Sequence, residues 1–429
     1  MSTCLIRCAV ALSMTLAWFL VLADASPAAD KVNSCIECHQ SMAGRRLAEL
    51  VKAYADDIHA AKGFGCQDCH GGDPTRGAAE GDPDLAHNPA KGFVGTPSPA
   101  QIPEFCARCH SDVEFMKKYN PKLRVDQLLE YRSSRHGKSL ASGDTKVATC
   151  VSCHGVHGIL AVSDTRSPVY KTNVANTCAR CHANATYMRP YGIPTDQLEL
   201  YKSSVHGQRL LEKDDLAAPT CNNCHGNHGA TPPGLTSIAN ACGECHANNR
   251  DFFNESPHKA AFADMGLGEC TACHRHHDIA KPNDAMLGTG QGSLCTTCHS
   301  DGDPGFAAAA EMTKTIDSLK VTLTAAHDLL DRAARGGIDV ALGKFDLHAA
   351  DDALIKTRTA VHYFDTTKFA EVVAPGVAAA GHVILLGNQA LADLRMRYVG
   401  LGFSIPLVLL VALLLYLKIR RMERSKPLV

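Results

Sequence analysis

A chain of 429 residues with 43 Lys and Arg, 44 Asp and Glu and a formal net charge of −1 carries no basic surplus that would suit nucleic acid. Aromatic residues are 6% of the total, and the single tryptophan, Trp18, lies close to the N-terminus, so an ordinary aromatic-rich core is not expected. Twenty cysteines are the outlying number, and their spacing directs the rest of the reading.

Residues 1–25 have the pattern of a secretory signal. Arg7 supplies a positive start, Cys8 to Leu22 is apolar, and Ala23-Asp24-Ala25 is a small-x-small cleavage site. The apolar run is short for a membrane span, which favours cleavage after Ala25 over an uncleaved anchor. Cys4 and Cys8 fall in this segment.

The other eighteen cysteines all belong to nine copies of Cys-x-x-Cys-His. These are Cys35-Cys38-His39, Cys66-Cys69-His70, Cys106-Cys109-His110, Cys150-Cys153-His154, Cys178-Cys181-His182, Cys221-Cys224-His225, Cys242-Cys245-His246, Cys270-Cys273-His274 and Cys295-Cys298-His299. This spacing attaches haem c: two thiols bond the vinyl groups, and the adjacent His reaches the iron as proximal ligand. Zinc sites use Cys-x-x-Cys pairs without a His directly after the second Cys. A thioredoxin-like pair needs a single motif in a βαβ setting. Nine covalently bound haem c groups, each with its iron, are therefore expected. Each has only about thirty residues around it, too few for a core of protein alone, so haem must supply the apolar interior.

The motifs sit in an internal duplication, which predicts two-haem modules over residues 26–305. One copy runs from Cys106 through Tyr131-Arg132-Ser133-Ser134-Arg135-His136-Gly137 to Cys150 and His157. The next runs from Cys178 through Tyr201-Lys202-Ser203-Ser204-Val205-His206-Gly207 to Cys221 and His228. A shortened copy has Cys242, His258, Cys270 and His277, and a divergent first copy has Cys35, His59 and Cys66, with His87 beyond. The histidines outside the motifs are candidate sixth ligands, since an electron-transferring haem needs an imidazole on its second face. They are His59, His87, His136, His157, His206, His228, His258 and His277, eight candidates for the first eight haems. Short helices are expected over Asp126–Arg135 and Asp196–Val205, with irregular chain elsewhere and no strand pattern.

On these motifs residues 30–305 resemble the multihaem cytochromes c with paired Cys-x-x-Cys-His modules. That group includes cytochrome c3-like carriers and the octahaem tetrathionate-reductase and hydroxylamine-oxidoreductase relatives. The resemblance implies haem attachment outside the cytoplasm. Catalytic relatives often carry a proximal Lys or a crosslinking Tyr, whereas all nine motifs here end in His.

After Gly305 the cysteines stop and helix formers take over, giving a haem-free helical domain over 306–398. Ile316, Leu319, Leu323, Ala326 and Leu330 recur at helical spacing, and Gly336-Gly337 ends that helix. A second helix is predicted from about Phe345 to Phe369, with Pro375-Gly376 dividing it from a third that reaches Arg397. The expected fold is mainly α with much irregular chain, a helical hairpin or bundle, and one C-terminal transmembrane helix at 399–418. Lys418, Arg420, Arg421, Arg424 and Lys426 mark residues 419–429 as a cytoplasmic tail. Of the tail histidines His327, His348, His362 and His382, the pair His348 and His362 would share one helical face. One of the four, or His276, is the expected ligand of the ninth haem at Cys295.

The expected protein is a single-pass, inner-membrane cytochrome with its haem region on the periplasmic side. It would be an electron-transfer protein rather than an enzyme, working between a quinol-linked membrane donor and a periplasmic or outer-membrane acceptor. Its partners would be redox proteins, including a quinol-oxidising membrane complex. The alternatives are a reductase of a small nitrogen or sulfur oxyanion at an open haem, and a cytochrome subunit of an integral membrane oxidoreductase.

Overall fold

The computed structural model describes residues 33–42, 45–234 and 237–424. The expected signal at 1–25 and residues 425–429 of the basic tail lie outside them. Helix and irregular chain make up the described residues, with no strand among them. The described residues form two compact units: those up to Thr195 together with Pro219–Thr231, and Asp196–Ala218 together with those from Pro232 onward.

The motifs are built on short helices. Cys35 to His39 lie on α1 (Ser34–Ser41), and α2 (Ile58–Ala61) carries His59. The second motif of each of three modules is a one-turn helix: α3 (Cys66–His70), α7 (Cys150–His154) and α11 (Cys221–His225). A first motif instead closes the longer helices α4 (Ile102–His110) and α8 (Val174–His182). Helical spacing puts both cysteines and the His on one face, which is what a single ring system bonded to all three requires. The unnamed motif positions also have a purpose. In α7, Ser152 Oγ accepts from the Thr149 N–H at 3.0 Å, and in α11, Asn223 Oδ1 accepts from the Thr220 N–H at 2.9 Å. Each closes a capping box that fixes the first turn.

Two helix pairs lead to the inter-motif histidines, α5 (Gln127–Ser133) with α6 (Arg135–Ala141), and α9 (Gln197–Ser203) with α10 (Val205–Glu212). Expected as single helices, each breaks at a buried serine. Ser134 and Ser204 accept from the N–H groups of Gly137 and Gly207, at 2.9 and 3.0 Å. Their hydroxyls donate back to the carbonyls of Tyr131 and Tyr201 at 2.6 Å. The glycine is required because a Cβ there would overlap that tyrosine carbonyl. Tyr-x-Ser-Ser-x-His-Gly is thus a bend with a capped helix start, and it presents the His two residues past the cap. Further on lie α12 (Ile238–Gly243), α13 (Ala247–Asn254), α14 (Pro257–Met265) and α15 (Thr271–His274).

The tail is a three-helix bundle of α16 (Pro304–Arg335), α17 (Ala341–Ala360) and α18 (Thr366–Arg424). Ile316, Leu319, Leu323, Ala326 and Leu330 are its buried stripe, packed on Leu347, Ala350, Ala380 and Val383 toward one end and on Ala360, Phe369 and Val373 toward the other. The break expected at Pro375-Gly376 is instead at Val361–Phe364, where Phe364 adopts φ +48°. Pro375 is carried inside α18, and Gly376 lets that helix approach Ala353, where a Cβ would clash. Helix α18 continues past the bundle into Leu401–Leu417, wholly exposed and apolar enough to cross a membrane.

Candidate haem centres

The histidines of the repeat meet in pairs across module boundaries. Each inter-motif His lies opposite the proximal His of the next module's first motif: His59 and His110 (ring centres 6.0 Å apart), His136 and His182 (6.2 Å), His206 and His246 (6.3 Å), and His258 and His299 (6.0 Å). Two post-motif histidines turn the other way, to the second motif of the preceding module: His157 and His70 (6.0 Å), and His228 and His154 (6.1 Å). Two further pairs are His39 with His87 at 5.9 Å and His274 with His362 at 6.1 Å. His225 is half-buried, with the Thr231 N–H donating to its carbonyl at 2.9 Å, and His277 is half-buried in the loop after α15.

Backbone bonds fix this crossing. The residue before three of the four inter-motif histidines donates its N–H to a carbonyl two residues past a downstream post-motif His. Ile58 donates to Ile159 at 2.8 Å, Arg135 to Ala230 at 3.0 Å, and Val205 to Ile279 at 2.8 Å. A buried cap precedes each inter-motif His by two positions, namely Asp57, Ser134, Ser204 and Ser256. That recurring cap was a readable signal in the sequence, beside the histidines themselves.

The spacing suits an iron between each pair. Two imidazoles sharing a metal, each with a nitrogen about 2 Å from it, have ring centres about 6 Å apart. Ordinary aromatic pairs scatter over about 4.5–7 Å, yet these eight lie between 5.9 and 6.3 Å. Second partners orient several rings. Asp57 Oδ1 is 2.8 Å from His59 Nδ1, the Val94 carbonyl is 3.2 Å from His70 Nδ1, and the Thr359 carbonyl is 2.9 Å from His362 Nδ1. His157 and His258 bury an Nδ1 that has no protein partner, which a bound group could relieve. Burial pushes His110, His136, His154, His182, His206 and His228 below the usual imidazole value, which keeps them in the neutral form that binds metal.

The cysteines follow the same order. Within a module the leading thiols touch: Cys35 with Cys66, Cys106 with Cys150, Cys178 with Cys221, and Cys242 with Cys270. Between modules, burial first and then the next module's thiol raise Cys69, beside Cys109, and Cys273, beside Cys295; Cys153 is raised by burial, then by Cys150 of its own motif, with a smaller contribution from Cys181 of the next module. The attachment sites therefore run in sequence order inside each unit.

The ninth site departs from expectation. His299 faces His258 rather than His276 or a tail histidine, because Cys295 begins a fifth module and takes its inter-motif partner from the fourth. His276 is exposed, and its ring lies 4.9 Å from that of its neighbour His277, tilted by 38°. A tail histidine does enter the haem region, but at the eighth motif. His348 and His362 share no helical face, since His348 lies on α17 and His362 in the turn after it. His327, His348 and His382 are exposed, and His327 and His382 pair with Asp351 and Asp346 at 3.1 Å.

Residues 58–183 match the cytochrome c3 family, residues 263–304 the doubled CXXCH motif, and residues 21–71 the cytochrome c554 and c-prime family. The chain is 26% identical to the multiheme cytochrome MtrA of Shewanella baltica over 228 residues, covering 51% of this chain and 53% of that one. It is 23% identical to the C-type polyheme cytochrome OmcC of Geobacter sulfurreducens over 221 residues, 45% of this chain and 26% of that one. The chain thus spans about half the length of the first relative and a quarter of the second. No solved structure matches it.

Proposed function

We propose that this chain, which belongs to the multihaem c-type cytochromes, is a membrane-anchored carrier that passes electrons along nine haem c groups. The observation carrying this reading is the set of eight His–His pairs near 6 Å. An iron closed by imidazole on both faces exchanges electrons but has no position for a substrate. The cysteines of each motif would hold the ring, the motif histidines would serve as proximal ligands, and His59, His87, His136, His157, His206, His228 and His258 would serve as distal ligands. His277 keeps the distal role that its place in the repeat suggests.

The exposed apolar stretch of α18, followed by Lys418, Arg420, Arg421 and Arg424, supports a single anchor in the inner membrane. Its basic end would be cytoplasmic and the haem region periplasmic. Electrons would enter from a quinol-linked membrane partner and leave to a periplasmic or outer-membrane acceptor. Intact-mass measurement together with electron paramagnetic resonance tests the reading. Nine haems, all low-spin when oxidised, are expected. A substantial high-spin ferric signal with carbon monoxide binding after reduction would instead favour a reductase.

A further inference from the structure

The repeat needs a fifth post-motif histidine that its own modules do not contain. His157 and His228 each reach back to the second motif of the preceding module, and His274 belongs to the second motif of the fourth. The fifth module stops after its first motif, at His299. The tail bundle comes next in the chain, and its α17–α18 corner lies where the missing loop would be.

Three observations make the corner equivalent to such a loop. The His274–His362 rings are 6.1 Å apart and 22° from parallel, beside 16° and 10° for His70–His157 and His154–His228. The first-motif pairs are all more steeply tilted, between 39° and 85°. The corner also sits against the inter-motif His of the fourth module, as post-motif loops do: Phe364 packs edge-on to His258 at 4.2 Å. Finally, Ile58, Arg135 and Val205 donate an N–H to the following loop, whereas the matching residue before His258 is Pro257, which has no N–H to offer.

We propose that His362 is the distal ligand of the iron held by His274, and that the tail bundle is the C-terminal cap of the haem repeat. This rests on the haem-carrier reading above. Capping is what a repeat requires at its end, where a last module would leave one face without its neighbour. The Thr359 carbonyl at 2.9 Å holds the Nδ1–H tautomer and leaves Nε2 for the iron. The corner is clamped by Tyr363, stacked on Phe252 at 4.2 Å, and by Lys368, paired with Glu255 at 3.0 Å.

The test uses the full-length, haem-loaded chain. In His362→Ala the haem content by intact mass should equal that of the parent. About one haem per chain should become high-spin by electron paramagnetic resonance and bind carbon monoxide when reduced, and added imidazole should return it to low-spin. His348→Ala, on the exposed face of α17, should remain wholly low-spin. His362→Met covers a loss of folding in the alanine variant: it should stay six-coordinate and raise the potential of one haem. A parent that is wholly low-spin, with a His362→Ala variant that stays so, overturns the ligand assignment alone. A His362→Met titration identical to the parent's does the same. A parent carrying no haem at the Cys270 motif overturns the underlying reading as well.

Discussion

The N–H of Arg135 donates to the carbonyl of Ala230 at 3.0 Å, and this bond ties the arm of one module to the post-motif loop of the next. It puts His136 and His228 side by side, although one faces His182 and the other His154. The second module therefore does not close its own sites: it lends His136 forward to His182 and His157 back to His70.

That interlocking predicts that haem loss spreads. Cys221→Ala with Cys224→Ala should lower the intact mass by one haem and disturb the loop that carries His228. The iron at His154 should then show partial high-spin character in electron paramagnetic resonance. A strictly local effect would mean that the modules are independent.

Two glycines should respond in opposite directions. Gly207→Ala forces a methyl into the Tyr201 carbonyl and should cost about 2–3 kcal/mol, as overpacking does. It should also weaken closure of the site at His246. Gly381, on the exposed side of α18, has nothing within reach of an added Cβ, so Gly381→Ala should stabilise the chain by about 0.5–1 kcal/mol. Thermal unfolding of both variants checks the contrast.

Acid should loosen the tail. Asp284, in the loop before the last motif, accepts two bonds from Arg358 of α17 at 2.8 Å and pairs with Lys320 of α16 at 3.1 Å. The Arg358 hydrogen bonds, helped by Lys320 and opposed by burial, hold its carboxyl below the usual range. A depressed carboxylate contributes stability above its unfolded value of about 4, and loses it as pH falls through the folded value. Asp284→Asn should cost about 1 kcal/mol at neutral pH. In denaturant titrations the gap from the parent should narrow below about pH 4 and close once the folded carboxyl is protonated. A gap constant with pH would exclude the ion cluster as its cause.

The bundle should act as a spacer. From Thr366, just after the His362 corner, to Leu401, where the apolar span begins, α18 rises about 50 Å at about 1.5 Å per residue. Helix α16 runs alongside, with Gly336 against Leu394 near the membrane end. Cryo-electron microscopy of the full chain in a nanodisc should place the His274 and His299 sites about that far from the bilayer. A bundle lying flat on the lipid would refute the spacer.

Removing the span should leave the cap intact. A chain ending at Tyr398 keeps the bundle and His362, so it should be released as soluble, haem-loaded, low-spin protein. A chain ending at Asp303 should carry about one high-spin haem, the one that His362 closes. Membrane fractionation after a high-salt wash and the spin state together decide both.

The sequence by itself determined the chemistry of attachment. Cys-x-x-Cys-His is local, and a helix of one or two turns presents all three side chains without help from elsewhere. The same holds for the stripe from Ile316 to Leu330, whose period follows from helical geometry. Tertiary structure alone decided the histidine pairs, because His59 and His110, or His206 and His246, meet through bonds between segments far apart in sequence. It also decided the break at Phe364 over Pro375, since Gly376 packs against Ala353 and neighbouring helices hold a proline-containing helix together. His362 shows the division most plainly. Its residue type and tail position were legible, but the turn that aims it at His274 rather than His299 exists only once α17 and α18 have packed against α16.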